Sequence, residues 1–255
     1  MFRLRLLLAA PVLVLLVLLV LGGAAWWTSR DSMAGWIATR VGDSNRTEVR
    51  DRSGIMLAEL TDGARTVPMM GPWRTWTEPG TDAQVTEDRW VRLLPEPYDG
   101  SFDTSEASWL RSALADTSPD VLAVAFQYIT GAHDQVRDGV TMAGDASYGP
   151  RLGADFNDYL GVEWTYGTEV DPPEPEEIGS LDCSGFVRIV LGYRLGMPMS
   201  LDPATDTLPR IADDQLNSGP GQLIVENKGS QVTSFDMLRP GDLVFFDASN
   251  RDGRA

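Results

Sequence analysis

The chain has 255 residues, 43% hydrophobic and 23% charged, which suits one good-sized domain plus an accessory one and a core that needs no staples. A formal net charge of −16 argues against nucleic acid, because phosphate binding relies on a basic face, and against a soluble body that clings to anionic lipid. The single cysteine, Cys183, excludes an intramolecular disulfide, and one histidine, His133, argues against a zinc cluster, so no cofactor and no metal is expected.

Residues 1–27 open with Arg3 and Arg5 and then carry no charge until Arg30. Residues 6–21 are almost entirely Leu, Val and Ala, which predicts a single-pass membrane anchor with a cytoplasmic N-terminus and Trp26 and Trp27 at the interface. A cleaved signal peptide is the alternative, since Gly23-Ala24-Ala25 resembles a small-residue cleavage site. Either way the remainder is expected outside the cytoplasm, where a leftover thiol is reactive or intermolecular. Residues 28–64 read as a spacer with turns at 43–46 and 51–54 and short strands around 55–60. Residues 65–98 look β-rich, with runs such as RTVPMM and AQVTEDRWVRLLPEP between Gly-Pro and Pro-Gly turns. Trp73, Trp76 and Trp90 form either the core of that unit or an aromatic surface for sugar or peptide. Residues 105–136 read as helical in EASWLRSALAD and again, after Ser118-Pro119, in DVLAVAFQYITGAH, which ends at His133.

Residues 144–177 are irregular and rich in Gly, Pro and acid. In LDCSGFVRIVLGYRLG, residues 181–196, the apolar positions Phe186, Val187, Ile189, Val190, Tyr193 and Leu195 recur at helical spacing, and Gly196 followed by Pro198 is a stop. The pattern predicts a mostly buried helix whose first turn holds Cys183, capped by Asp182 or Ser184. A thiol there faces unpaired backbone N–H groups and the positive end of the helix dipole, and both favour the nucleophilic thiolate. The bland reading is a small buried hydrophobe. Polar neighbours on both sides count against it, as does Gly185, which is expected to leave open space beside the sulfur. Residues 200–221 read as loops with a short helix within 208–216, and 222–225 and 231–233 as short strands. Pro240-Gly241 then turns the chain into LVFF, residues 243–246, a buried strand.

Two segments in this order, LDCSGFV and LRPGDLVFF, resemble the signature of the NlpC-type cell-wall peptidases, papain-like cysteine enzymes of bacterial peptidoglycan. The resemblance covers residues 144–255. It implies an α+β fold: a papain-like catalytic domain, cut short, with the cysteine helix on an antiparallel sheet and LVFF as its first central strand. Cys183 would be the nucleophile, supported by Asp182, Ser184 and Gly185, and the reaction hydrolysis of a peptidoglycan stem peptide through an acyl-enzyme, commonly between D-glutamate and a diamino acid. The family often carries an aromatic-x-aromatic-Gly segment whose first aromatic shapes the oxyanion site. Trp164-Thr165-Tyr166-Gly167 matches it loosely and puts Trp164 in that place, while Tyr148-Gly149 is a second match. The family's histidine base should open the strand after LVFF, but no histidine follows Cys183, and His133 lies fifty residues upstream of it.

The resemblance therefore implies a truncated, inactive chain whose longer version carries that histidine. The expected organisation is an anchor at 1–27, a spacer at 28–64, a small β-rich then helical accessory region at 65–143, and the N-terminal part of the peptidase domain at 144–255. Expected partners are the stem peptide and, through the N-terminal helix, the membrane. The alternatives are a non-catalytic wall-binding or scaffold protein that keeps the fold, and an acyl transferase using the same cysteine.

Overall fold

The computed structural model describes residues 35–42, 44–148, 153–204, 206–226, 228–229 and 232–246, so the expected anchor at 1–27 lies outside the described residues. Among the described residues no helix is long and apolar enough to cross a membrane.

Strands β1 (Ile37–Arg40), β2 (Arg46–Arg50), β3 (Met56–Thr61), β4 (Thr66–Thr77) and β5 (Gln84–Leu93) form a five-stranded antiparallel sheet in chain order. The turn from β2 to β3 is closed by Asp51, whose Oδ1 accepts from the amides of Ser53 at 2.8 Å and Ile55 at 3.0 Å. Val49, Ala58, Leu60, Val67 and Met69 bury one face of the sheet, and helix α1 (Thr104–Ala115) covers it with Leu110. A capping box starts α1: Asp103 accepts from the Ser105 amide at 2.6 Å, and Glu106 accepts from the Asp103 amide at 3.1 Å.

Alternation along β5 feeds two cores. Trp90 faces the first, while Val91 and Leu93 join a second core built on α2 (Val121–Ala125), α3 (Phe156–Leu160) and the cysteine helix α4 (Cys183–Val187). Asp120, fully buried, pins the junction. It caps α2 through the Ala123 amide at 2.9 Å, accepts from the Val91 amide at 2.7 Å and pairs with both terminal nitrogens of Arg74 at 2.6 and 2.9 Å. The Arg74 guanidinium in turn lies 4.5 Å from the Trp76 ring and 4.3 Å from the Trp90 ring. Trp73 points outward, 70% exposed. Two small hairpins, β6 (Gln135–Arg137) with β7 (Val140–Ala143) and β8 (Trp164–Tyr166) with β9 (Glu169–Asp171), flank the second core, and α4 continues as a π-helix through Arg188–Arg194. Helix α5 (Ala212–Ser218) packs on α4.

This mixed architecture corrects the papain-like α+β domain expected from the resemblance. The large sheet comes from residues 37–93: β1 and β2 arise where a spacer was expected, and β3 falls on the short strands expected around 55–60. β1 and β2 are four and five residues long, too short for alternation to stand out. The cysteine helix packs on other helices and loops: Ile189, Val190 and Leu191 share a core with Val124, Phe156 and Tyr159. LVFF is not a strand, and Leu243, Val244 and Phe246 are 43, 58 and 82% exposed. A strand gains its stability from partners for its backbone groups, and no described strand pairs with this run. The turn before it docks instead on the first sheet, where Arg239 Nε donates to Glu59 at 2.7 Å and Arg46 donates to the Met237 carbonyl. Residues 222–225 and 232–233 are not strands either.

Candidate thiol site

Asp182 keeps an extended backbone, φ −87° and ψ 177°, while its Oδ1 accepts from the Gly185 amide at 2.6 Å and from Ser184 Oγ at 2.9 Å. Of the two expected caps, Asp182 is the one used. Cys183 therefore occupies the first helical position, exposed to solvent, with Ser184 and Gly185 buried behind it. The sulfhydryl sits beside amides that have no partner within the helix.

Gly185 corrects one expectation, because it leaves no open space on its inner side. A Cβ there would stand 2.5 Å from the Ala154 carbonyl oxygen and 3.1 Å from Asp155 Cα. The Asp182 amide donates to the same Ala154 carbonyl at 2.8 Å, so the start of α4 is pressed onto residues 153–155. Gly185→Ala is expected to destabilise the fold by about 1–3 kcal/mol through overpacking. Urea unfolding measures this, and an unchanged midpoint would mean that α4 can move off the loop at no cost.

A charge network lies behind the cap. Arg210 donates from Nη2 to Asp182 Oδ2 at 2.9 Å and to the Gly153 carbonyl, and from Nη1 to Ser184 Oγ at 3.0 Å; its Nε lies 3.5 Å from Asp155. Asp155 receives Arg188 Nε at 3.0 Å on each oxygen. Arg188 has no exposed surface, and it satisfies the carbonyls of Ser200 at 2.6 Å and Leu208 at 2.8 Å and the Tyr166 hydroxyl. Carboxylates and guanidiniums thus alternate from the cap into the core, which is how buried charge is tolerated. From α5, Gln215 Nε2 reaches the carbonyls of Ser184 at 3.3 Å and Pro209 at 3.1 Å.

Burial by itself raises the Asp182 carboxyl, but the hydrogen bonds from Arg210 and the Gly185 amide outweigh it and hold the group below its ordinary range. Asp155 is pushed up by its burial, against the pull of Arg188 and Arg210. A carboxyl depressed on folding contributes stability that is present above its unfolded value, ~3.9, and is lost as pH falls through the folded one. A raised carboxyl such as Asp155 contributes in the opposite sense. The stability gap between wild type and Asp182→Asn is therefore expected at neutral pH and should close on acidification below about pH 4. Urea unfolding of both proteins across that range reads it, and a gap constant with pH would show that Asp182 is not a charged cap.

Trp164 packs into the second core beside the continuation of the cysteine helix. Its ring packs edge-on against Phe156 at 5.2 Å and Tyr193 at 5.7 Å, and no described hydrogen bond joins its indole to Cys183. Tyr148 also meets the cysteine helix, with its ring edge-on to Phe186 at 6.1 Å and its hydroxyl donating to the Tyr128 carbonyl at 3.0 Å. His133 is exposed on the turn before β6, with no described hydrogen bond to the cysteine helix. Among the described residues no group of His, Cys, Asp and Glu is arranged to hold a metal ion.

Sequence reading missed Asp155, Arg188, Arg210 and Gln215. A signal existed for Arg188, an arginine set inside the apolar run FVRIVL. Arg210 and Asp155 stand in loops among many charged residues, and nothing local marks them. Comparison of the chain with family models, with curated proteins and with solved structures finds no match in any of the three.

Proposed function

We propose that Cys183 is the nucleophile of an extracytoplasmic thiol hydrolase that cuts a peptide bond in the stem of peptidoglycan, with residues 1–27 as its membrane anchor. The observation that carries this reading is the exposed thiol on the first turn of α4, over a cap braced by Arg210. The substrate class rests on the residues LDCSGFV and LRPGDLVFF, shared in pattern with the NlpC-type peptidases. The thiolate attacks the scissile carbonyl carbon, the C–N bond breaks as the amine leaves with a proton, and water then frees the acyl group from sulfur. Proton transfer to that amine needs an acid–base group within hydrogen-bond reach of it.

The second reading is a wall-binding protein that holds stem peptides without cutting them. The two separate on purified muropeptides incubated with the protein. The hydrolase reading expects new amine termini and an acyl adduct on Cys183 by mass spectrometry, with Cys183→Ala lowering release at least about a thousandfold. Peptides retained but uncut, or cut equally well by Cys183→Ala, would overturn it.

A further inference from the structure

We propose that Arg210 is a positioning residue for Cys183: it clamps the Asp182 carboxylate and the Ser184 hydroxyl and so holds the first turn of α4, with the sulfhydryl on it, in place. The inference rests on the reading of Cys183 as a nucleophile.

A cap carboxylate held by one amide can swing away from the turn. Here both oxygens are engaged. Oδ1 takes the Gly185 amide, Ser184 Oγ and, at 3.3 Å, Arg210 Nη1, while Oδ2 takes Arg210 Nη2 at 2.9 Å. Two donors spread over two oxygens fix the plane of the carboxylate as well as its distance. Ser184 is saturated too, donating to Asp182 and accepting from Arg210, so its hydroxyl does not compete for the backbone of the turn.

The guanidinium arrives pre-arranged. The Gly153 carbonyl holds its Nη2, Asp155 lies beside its Nε, and Gln215 ties the preceding Pro209 carbonyl to the Ser184 carbonyl of α4. Asp182 and Asp155 offset its charge, so Arg210 is not a spare cation awaiting a substrate. Its effect on the thiol passes through the cap. The charged groups facing Asp182 are Arg210 from the loop before α5 and, beyond Arg210, Asp155 with its partner Arg188.

The test is the rate at which iodoacetamide alkylates Cys183 in the full chain at a fixed, slightly alkaline pH. The variants are Arg210→Met, Asp182→Asn, their double and Arg210→Lys, each checked for cooperative melting. Arg210→Met and Asp182→Asn are each expected to slow alkylation about fivefold, because each removes the charge-assisted contact between Arg210 and Asp182 that fixes the turn. The double variant should be no slower than Asp182→Asn, because both changes break one linkage. A lysine cannot hold Asp182 and Ser184 in the same forked geometry, so Arg210→Lys should fall between wild type and Asp182→Asn. The Gly185 amide proton resonance should move upfield along the same order. A folded Arg210→Met alkylated at the wild-type rate, or losses that multiply in the double variant, would overturn the proposal. Should Arg210→Met fail to melt cooperatively, Arg210→Lys decides, and a wild-type rate there overturns it. Muropeptide cleavage is scored separately. Its absence with the alkylation pattern intact removes the hydrolase reading and leaves the role of Arg210 standing; cleavage with an unaltered Arg210→Met rate does the reverse.

Discussion

Replacing Arg188 by methionine is expected to cost about 3–5 kcal/mol, a large part of the stability of an ordinary domain. The side chain has no exposed surface, so everything it touches is left without water as a substitute. Asp155, itself 2% exposed, loses a two-oxygen contact and becomes a poorly compensated buried carboxylate. The carbonyls of Ser200 and Leu208 lose a charged donor as well. Methionine fills much of the space, so the cost is mainly electrostatic. It follows that Asp155→Asn in the same chain should recover part of the loss, since it removes the stranded charge. Urea unfolding of the two single variants and the double measures the cycle. If Arg188→Met stays within about 1 kcal/mol of wild type, the pair does not organise this core.

Asp120→Ala should be comparably damaging, about 3–5 kcal/mol, for a different structural reason. The carboxylate touches β4, β5 and α2 at once: Arg74, the Val91 amide and the Ala123 amide all donate to it. Removing it uncaps α2, leaves the Val91 amide unsatisfied in the core, and leaves the guanidinium of Arg74, whose side chain is 14% exposed, with the Arg89 carbonyl at 2.9 Å and Glu87 at 3.9 Å. Asp120→Asn keeps the shape and one acceptor oxygen, and should cost less. Equilibrium unfolding gives the magnitude, and hydrogen exchange at Val91 gives the location. A Val91 amide that remains as protected in Asp120→Ala as in wild type would show that this bond does not hold the two cores together.

Both residues show how far local pattern carries. The cap at Asp182, the helix after it and the glycine stop at Gly196 were legible because each is closed by partners three to five residues away. The same holds for the helical reading of EASWLRSALAD, whose capping box spans Asp103 to Glu106. Strands 37–61 were not legible as a sheet, since each strand is short and its hydrogen bonds close on another segment. LVFF failed the other way: its apolar pattern suits a strand, but no described strand lies beside it to accept its backbone.

Sequence by itself determined where the thiol sits: on the first turn of a helix, behind an aspartate cap, in a strongly acidic chain with one cysteine. Tertiary structure alone decided what stands behind that turn. The partners of its charges come from 28 residues away for Asp182 with Arg210, 33 for Asp155 with Arg188 and 46 for Arg74 with Asp120. A helix satisfies its backbone within one turn, whereas a buried charge is satisfied by whichever opposite charge the packed chain carries to it, and spacing along the chain does not encode that choice.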